Sequence, residues 1–353
     1  MLPTVDLAPA CSIPRVIIGA WQLSQGHSSA PPDRGEIFRT WATLVDRGFT
    51  TFDCADIYQG VERLLGEFRR QVRHPGAIRV HTKFVPDKEA LPRIDRSYVE
   101  RIIDRSLLRL GVERLDLVQF HWWDYAVPGY VEVAGWLGEL ARAGKIRHLG
   151  VTNFDVPRLG ELLGAGAPIV SIQLQYSVLD RRPEGGMATF CQSRGVGMLC
   201  YGSVAGGFLA EPWLGRPEPE DDTLDNRSLV KYRLIIDEFG GWGRYQRLLG
   251  TLDAIARRRG TDIATVATRW LLERPGVAAA IVGVRGGTYV PALARLFEGS
   301  LDQADRAEIA ASVRDAPGPA GDIYELERDS RGPHAAIMRY SLNRESQTGT
   351  EDP

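Results

Sequence analysis

The sequence predicts an α/β fold, a (β/α)8 TIM barrel, and three observations predict it. Short apolar, β-branched runs recur eight times along the 353 residues, each followed by a helical pattern. The runs are near-continuous rather than alternating, as in strands of a parallel sheet covered on both faces. The first run ends in Gly19-Ala20-Trp21, without the G-x-G-x-x-G turn that opens a doubly wound dinucleotide-binding sheet. Eight βα units with no domain-like break between them fit a closed barrel.

In chain order the expected strands are Arg15 to Trp21, Thr50 to Asp56, Ile78 to Phe84, Leu115 to Trp122, Ile146 to Asn153, Ile169 to Tyr176, Val196 to Gly202 and Ala278 to Val284. Between them lie amphipathic stretches. Over Tyr98 to Leu110 the residues Ile102, Ile103, Ser106, Leu107 and Leu110 recur at helical spacing, and Tyr130 to Ala143 is a second such stretch. The connection after the seventh strand, Gly202 to about Tyr245, is unusually long. It starts glycine-, proline- and acid-rich and turns helical through SLVKYRLIIDEF, and it lies on the face where barrel enzymes keep their sites. Its charge run, Glu218 to Asp222, reads as a solvated turn. Residues 1–315 are expected to form the barrel and 316–353 a C-terminal extension. Within that extension HAAIMRYSLN is apolar enough to fold back over the barrel mouth, whereas RESQTGTEDP reads as disordered.

Composition narrows the function. Hydrophobic residues are 44% and charged residues 25%, close to a globular average, and the net charge of -2 supplies neither a basic footprint for nucleic acid nor a polybasic membrane patch. No apolar run is long enough to span a bilayer, and the first residues carry Asp6 without a charged start and apolar block, so neither a membrane span nor a signal peptide is expected. Cys11, Cys54, Cys191 and Cys200 form no C-x-x-C pair. They read as buried reduced thiols of a cytoplasmic protein, with no disulfide framework and no metal site.

Polar residues at the C-terminal ends of barrel strands converge on one pocket. Here those ends supply Asp53 with Tyr58 just beyond it, Lys83 and His121. The types make chemical sense together. A tyrosine gives up its proton poorly near neutral pH, and a lysine ammonium beside it favours the phenolate and lowers its pKa. An aspartate paired with that lysine keeps it placed and charged, and a histidine in reach can orient a carbonyl oxygen or share the proton. Each residue alone has an ordinary structural role open to it; three consecutive strand ends favour the functional one.

The blocks FDCADIYQGVERLLGE, HTKF, VQFHWWDY, GKIRHLGVTNF, IQLQYSVLDR, LCYGSVAGGFL and RWLLERPGVAAAIVGVRGG resemble the aldo-keto reductases, over nearly the whole chain to about Leu301. The resemblance implies NADPH-dependent reduction of an aldehyde or ketone, with Asp53, Tyr58, Lys83 and His121 as the catalytic tetrad and Tyr58 protonating the carbonyl oxygen. It places Gly19, Ala20 and Trp21, with Asp53, at the nicotinamide end. Thr152, Asn153 and Gln173 fall at the grip on the carboxamide, and Tyr201, followed by Gly202, at the aromatic that stacks on the ring. Gly206, Gly207 and Leu209 form a loop able to present N–H groups to a pyrophosphate, and Arg227 and Ser228 are positioned to clamp phosphates. Gly283, Arg285, Thr288 and Tyr289 occupy the adenosine end.

That end departs from the family pattern. Tyr289 stands where an arginine or glutamine is usual, Ala292 and Leu293 replace a Glu-Asn pair, and Gly202-Ser203 replaces Ser-Pro. Lost charged hydrogen bonds predict dinucleotide binding weaker by about 1–3 kcal/mol, with NADPH expected and NADH not excluded. Trp21, Trp122, Trp123 and Trp242 are expected to line an aromatic pocket for a bulky or cyclic carbonyl compound. Two other readings keep the barrel. One is a redox-neutral acid–base enzyme reusing the tetrad, and the other a nucleotide-binding regulatory subunit like the channel β-subunits of this fold.

Overall fold

The computed structural model describes residues 2–27, 33–284 and 286–343. A two-stranded antiparallel hairpin, β1 (Thr4–Ala8) and β2 (Cys11–Pro14), leads into the barrel. Eight parallel strands follow: β3 (Val16–Gly19), β4 (Thr51–Asp53), β5 (Arg79–Phe84), β6 (Leu115–Phe120), β7 (Ile146–Thr152), β8 (Ile169–Gln175), β9 (Gly197–Tyr201) and β10 (Val277–Gly283). They close in sequence order, β10 pairing with both β9 and β3. All eight expected strands are present, each a residue or more shorter at one end or shifted by one. The hairpin was not expected, because its strands are too short to carry a pattern of their own.

Helices cover the outside, and acid or amide side chains start several of them. Asp33 caps α1 (Arg34–Asp46), Asp95 caps α3 (Arg96–Leu110) and Asp155 caps α5 (Val156–Gly164). Helices α2 (Val61–Gln71), α4 (Tyr130–Arg142) and α6 (Met187–Arg194) complete this arc. After β9 the long connection runs through short 3-10 turns into α7 (Arg227–Glu238), which Asn226 caps, and α8 (Trp242–Arg258). Glu218 of the acidic run is exposed and pairs with Arg233, as a solvated turn allows. Cys54, Cys191 and Cys200 are buried thiols, while Cys11 on the hairpin is half-buried.

Side chains facing the barrel axis divide it lengthwise. Ile17, Leu199, Ala279 and Ile281 make an apolar wall with Leu7 and Ile13 of the hairpin. Leu7 enters beside Gly197, where a Cβ would stand 2.5 Å from its Cδ2. The wall from β4 to β8 is mostly polar, carrying Thr51, Asp53, His81, Lys83, Gln119, His148, Ser171 and Gln173, with buried Leu117 of the apolar cluster set between His81 and His148.

The chain from Ala316 to Asn343 crosses the open end, with the single-turn helices Glu325–Arg328 and Pro333–Ala336 on its way. Glu327 enters the core to meet Arg182 at 3.2 Å, and Arg182 also holds Asp180 at 2.7 Å. Arg328 Nη2 donates to the carbonyls of Trp122 (3.0 Å) and Asn153 (2.8 Å), and Asn343 Nδ2 donates to Val85 O at 2.7 Å. HAAIMRYSLN therefore lies over the mouth, and the segment RESQTGTEDP falls outside the described residues.

Candidate active site

Four expected residues meet at the strand ends. Lys83 Nζ donates to Asp53 Oδ2 at 2.8 Å and to Cys54 O at 2.7 Å, and it stands 5.0 Å from the Tyr58 ring centroid. Asp53 and Lys83 are buried and Tyr58 half-buried. The other Asp53 oxygen accepts from Gln119 Nε2 (2.9 Å) and Gln173 Nε2 (2.6 Å). Burial opposes the Lys83 charge, but Asp53 and Tyr58 overcome it and hold the ammonium above the usual lysine range.

Tyr58 differs from expectation in sign. Burial outweighs the Lys83 ammonium and pushes the phenol up to about 12, so its hydroxyl stays protonated at neutral pH. His121 is buried, and its Nδ1 lies 3.1 Å from Thr152 O. A carbonyl only accepts, so Nδ1 carries the hydrogen and Nε2 presents a lone pair. Nε2 is buried with no partner among the described residues. Burial and the nearby Arg328 charge depress the imidazole to about 3, leaving it neutral. His121 is thus built to accept a hydroxyl hydrogen.

Around the tetrad, Tyr201 OH donates to Asn153 Oδ1 at 2.9 Å, and Asn153 holds a left-handed φ of 61° that asparagine tolerates. Thr152 is buried beside it, its carbonyl spent on His121. Gln173 has turned its amide to Asp53 and Gln119. Lys231 Nζ stands 4.9 Å over one face of the Tyr201 ring. Ala20 is buried and Trp21 half-buried after β3, with Trp21 edge-on to His27 at 4.8 Å. Gln22 Nε2 donates to Gly19 O at 2.9 Å and fills the space where Gly283 would otherwise carry a side chain.

The expected pyrophosphate loop is partly spent on itself. Gly207 and Leu209 both donate their N–H groups to Val204 O, and the Leu209 side chain is buried in the core. Gly202 and Gly206 have φ of 82° and 67° and pack against Tyr232. At Gly206 a Cβ would lie 2.8 Å from Tyr232 Cδ2 and 3.1 Å from Ser228 O. Gly206→Ala is therefore expected to cost about 1–3 kcal/mol, read as a lower urea midpoint with unchanged slope. An unshifted midpoint would contradict this packing.

Arg227 is half-buried at the start of α7 with Nη2 on Ile337 O (3.2 Å), and no carboxylate pairs with it among the described residues. Its neighbour Ser228 lies 3.0 Å from His27 Nε2. Thr288 and Tyr289 are exposed on a turn, Tyr289 at 63%. Arg285 lies outside the described residues.

The four tryptophans separate. Trp123 stacks edge-on to His121 at 4.4 Å and donates to Pro86 O, so it borders the site, while Trp21 follows Ala20, whose N–H donates to Asp53 O. Trp122 points the other way, as strand alternation after His121 requires, and donates to Asp124 O and Val127 O under Tyr130. Trp242 packs with Phe208, Trp213 and Tyr245 beneath the long connection, with Nε1 on Arg216 O. Trp122 and Trp242 are core residues here, not pocket lining.

Sequence reasoning missed Gln119, although it shares its strand face with His121 two residues on. It also missed Tyr324, whose ring lies 5.4 Å from His121, and Tyr340, 5.1 Å from Trp123. Both come from the crossing segment, where no periodicity marked them.

The donor set suits a nicotinamide dinucleotide at three points: an aromatic face at Tyr201, an amide at Asn153 and a guanidinium free of acid at Arg227.

Known proteins agree with this architecture. Aldo-keto reductase YhdN of Bacillus subtilis is 27% identical over 315 residues, covering 86% of this chain and 92% of that protein. Flagellar radial spoke protein 5 of Chlamydomonas reinhardtii is 31% identical over 62% of this chain, which spans about half (49%) of that protein's length. The solved structure of the glycerol dehydrogenase AKR11B4 from Gluconobacter oxydans superposes with a TM-score of 0.73 at 24% identity, covering 91% of this chain and 97% of that one, and speaks to the fold. The model of the Aldo/keto reductase family matches residues 15–314, nearly the whole barrel. The chain belongs to the aldo/keto reductase family of nicotinamide-dependent oxidoreductases.

Proposed function

We propose that the protein reduces an aldehyde or ketone to an alcohol with NADPH, in the cytoplasm, using Asp53, Tyr58, Lys83 and His121. One observation carries the reading: a buried ammonium, Lys83, held between the Asp53 carboxylate and the Tyr58 ring. A buried charge of this kind is costly to maintain and adds little stability over an apolar isostere, so a chemical role accounts for it better than a structural one.

The bound dinucleotide would supply a hydride to the carbonyl carbon. Tyr58, protonated beforehand, gives its hydrogen to the carbonyl oxygen. Lys83 lies beside the phenolate so formed and offsets its charge, while Gln119 and Gln173 fix Asp53. His121 Nε2 accepts from the hydroxyl that results, which orients the alcohol. Asn153 and Tyr201 would hold the nicotinamide, the ring face of Tyr201 not taken by Lys231 being the one available for stacking. Arg227 would meet the phosphates. Trp21, Trp123 and Tyr324 give the substrate side aromatic walls, which favours a bulky or cyclic carbonyl compound.

Titration of the purified protein with NADPH and NADH, followed by quenching of tryptophan fluorescence, tests the cofactor. NADPH is expected to bind about tenfold tighter than NADH, or ~1.4 kcal/mol. Binding of neither would sink the reductase reading and favour redox-neutral acid–base chemistry at the same tetrad.

A further inference from the structure

Beneath Asp53 the polar wall of the barrel holds groups that the protein leaves unsatisfied. Thr51 Oγ1, His81 Nδ1, Ser171 Oγ and His148 Nε2 are buried atoms without a hydrogen-bond partner among the described residues. The register puts them on one wall. Asp53 pairs with His81, His81 with Leu117, Leu117 with His148, and Gly150 with Ser171. Glycines flank Ser171 across the ladder: Gly150 makes room for its hydroxyl, where a Cβ would stand 2.6 Å from Oγ, and Leu7 fills the place beside Gly197. Unpaired buried polar groups are costly, so four on one wall make a site for ordered water.

The two ends of this wall differ. The hairpin closes the base over β8 and β10, where Leu7 plugs the apolar half. Below His81 on the same strand, Arg79 lines an open depression with Asp6 and Ser12, and half-buried His148 lies near Arg147 and Asp116. At the other end, Tyr324 and Tyr340 pack edge-on against His121 and Trp123.

We propose that Thr51, His81, Ser171 and His148 hold a file of water joining the Asp53–Lys83 pair to solvent at the closed end of the barrel, and that this file returns the proton spent by Tyr58. The second half rests on the reductase reading. In reduction the Tyr58 O–H bond breaks and its proton goes to the carbonyl oxygen. Lys83 passes an ammonium proton to the phenolate, and the amine takes one from water beside Asp53. The file relays the deficit to the base, so one bulk proton is consumed per carbonyl reduced, as the overall reaction requires. His81 is a positioning residue in this scheme. Asp53, Lys83, Asp116 and His148 face it, and burial keeps its imidazole neutral, with one donor and one acceptor for water.

Two measurements test this. Water relaxation dispersion on the whole protein counts long-lived internal waters; the wild type is expected to hold several and His81→Leu fewer. In stopped-flow single turnovers with NADPH and benzaldehyde, nucleotide absorbance reports hydride transfer and a pH indicator reports proton uptake. The two are expected to coincide in the wild type. In His81→Leu, uptake should lag by about tenfold or more while hydride transfer stays within about threefold. Ser171→Ala tests the file at a second point with less risk to folding, and His81→Gln should shorten the lag. Coincident uptake in both His81→Leu and Ser171→Ala would overturn the relay, and a wild type without long-lived internal water would overturn the file. If the wild type oxidises no NADPH with benzaldehyde, the reductase reading and the relay fall together, and the water count still decides the file.

Discussion

Tyr58→Phe is expected to lower the turnover of NADPH with benzaldehyde about a thousandfold while leaving the NADPH dissociation constant within about twofold, because a positioned general acid contributes roughly 100- to 10,000-fold. The substitution removes one oxygen and keeps the ring. That ring stands 5.0 Å from Lys83 Nζ, so the aromatic contact with the ammonium survives. What disappears is the one proton that the site holds ready at neutral pH. The Tyr58 phenol is pushed up to about 12 and is fully protonated there, whereas His121 is held near 3 with its only hydrogen committed to Thr152 O. Lys83 is a poor substitute, since two of its three hydrogens are held by Asp53 and Cys54 O and the carboxylate keeps the ammonium above the usual lysine range. If Tyr58→Phe turns over within about threefold of the wild type, the proton comes from elsewhere and the assignment fails.

The barrel was legible because parallel strands covered on both faces read as apolar runs, and all eight such runs became strands. The meeting of Asp53, Lys83 and His121 was legible for a related reason: the C-terminal ends of barrel strands converge. Alternation would also have found Gln119, in register with Lys83, and would have set Trp122 apart from Trp123. What stayed hidden depends on depth or on long range. Whether Lys83 lowers the Tyr58 pKa or burial raises it is a contest between two large effects, which the sequence names but does not weigh. The segment over the mouth is fixed by single side chains reaching main-chain carbonyls, as Arg328 reaches Asn153 O across 175 positions. Such bonds leave no periodicity. Trp242 misled for a similar reason, since an aromatic in a long connection after a strand can face either the mouth or the helices behind it.

Lys83→Met separates what the buried pair does for the fold from what it does for chemistry. The side chain it replaces is of similar length, so packing changes little, but Asp53 is left in the barrel core without Lys83, the one cation paired with it among the described residues. Removing one member of a buried pair typically costs about 3–5 kcal/mol, and the remaining bonds from Gln119 and Gln173 put this case toward the lower end. Urea unfolding should show that loss together with reductase activity below detection. Asp53→Asn in the Lys83→Met background takes the stranded charge away, and stability should recover by about 2 kcal/mol or more because a neutral amide is far cheaper to bury. Activity should not recover, since the phenolate left by Tyr58 would still lack its neighbouring ammonium. A stable Lys83→Met variant, within about 1 kcal/mol of the wild type, would mean that the 2.8 Å contact between Lys83 and Asp53 is not the buried ion pair described here. A double variant that reduces benzaldehyde at the wild-type rate would place the proton chemistry on other residues, even with the fold intact.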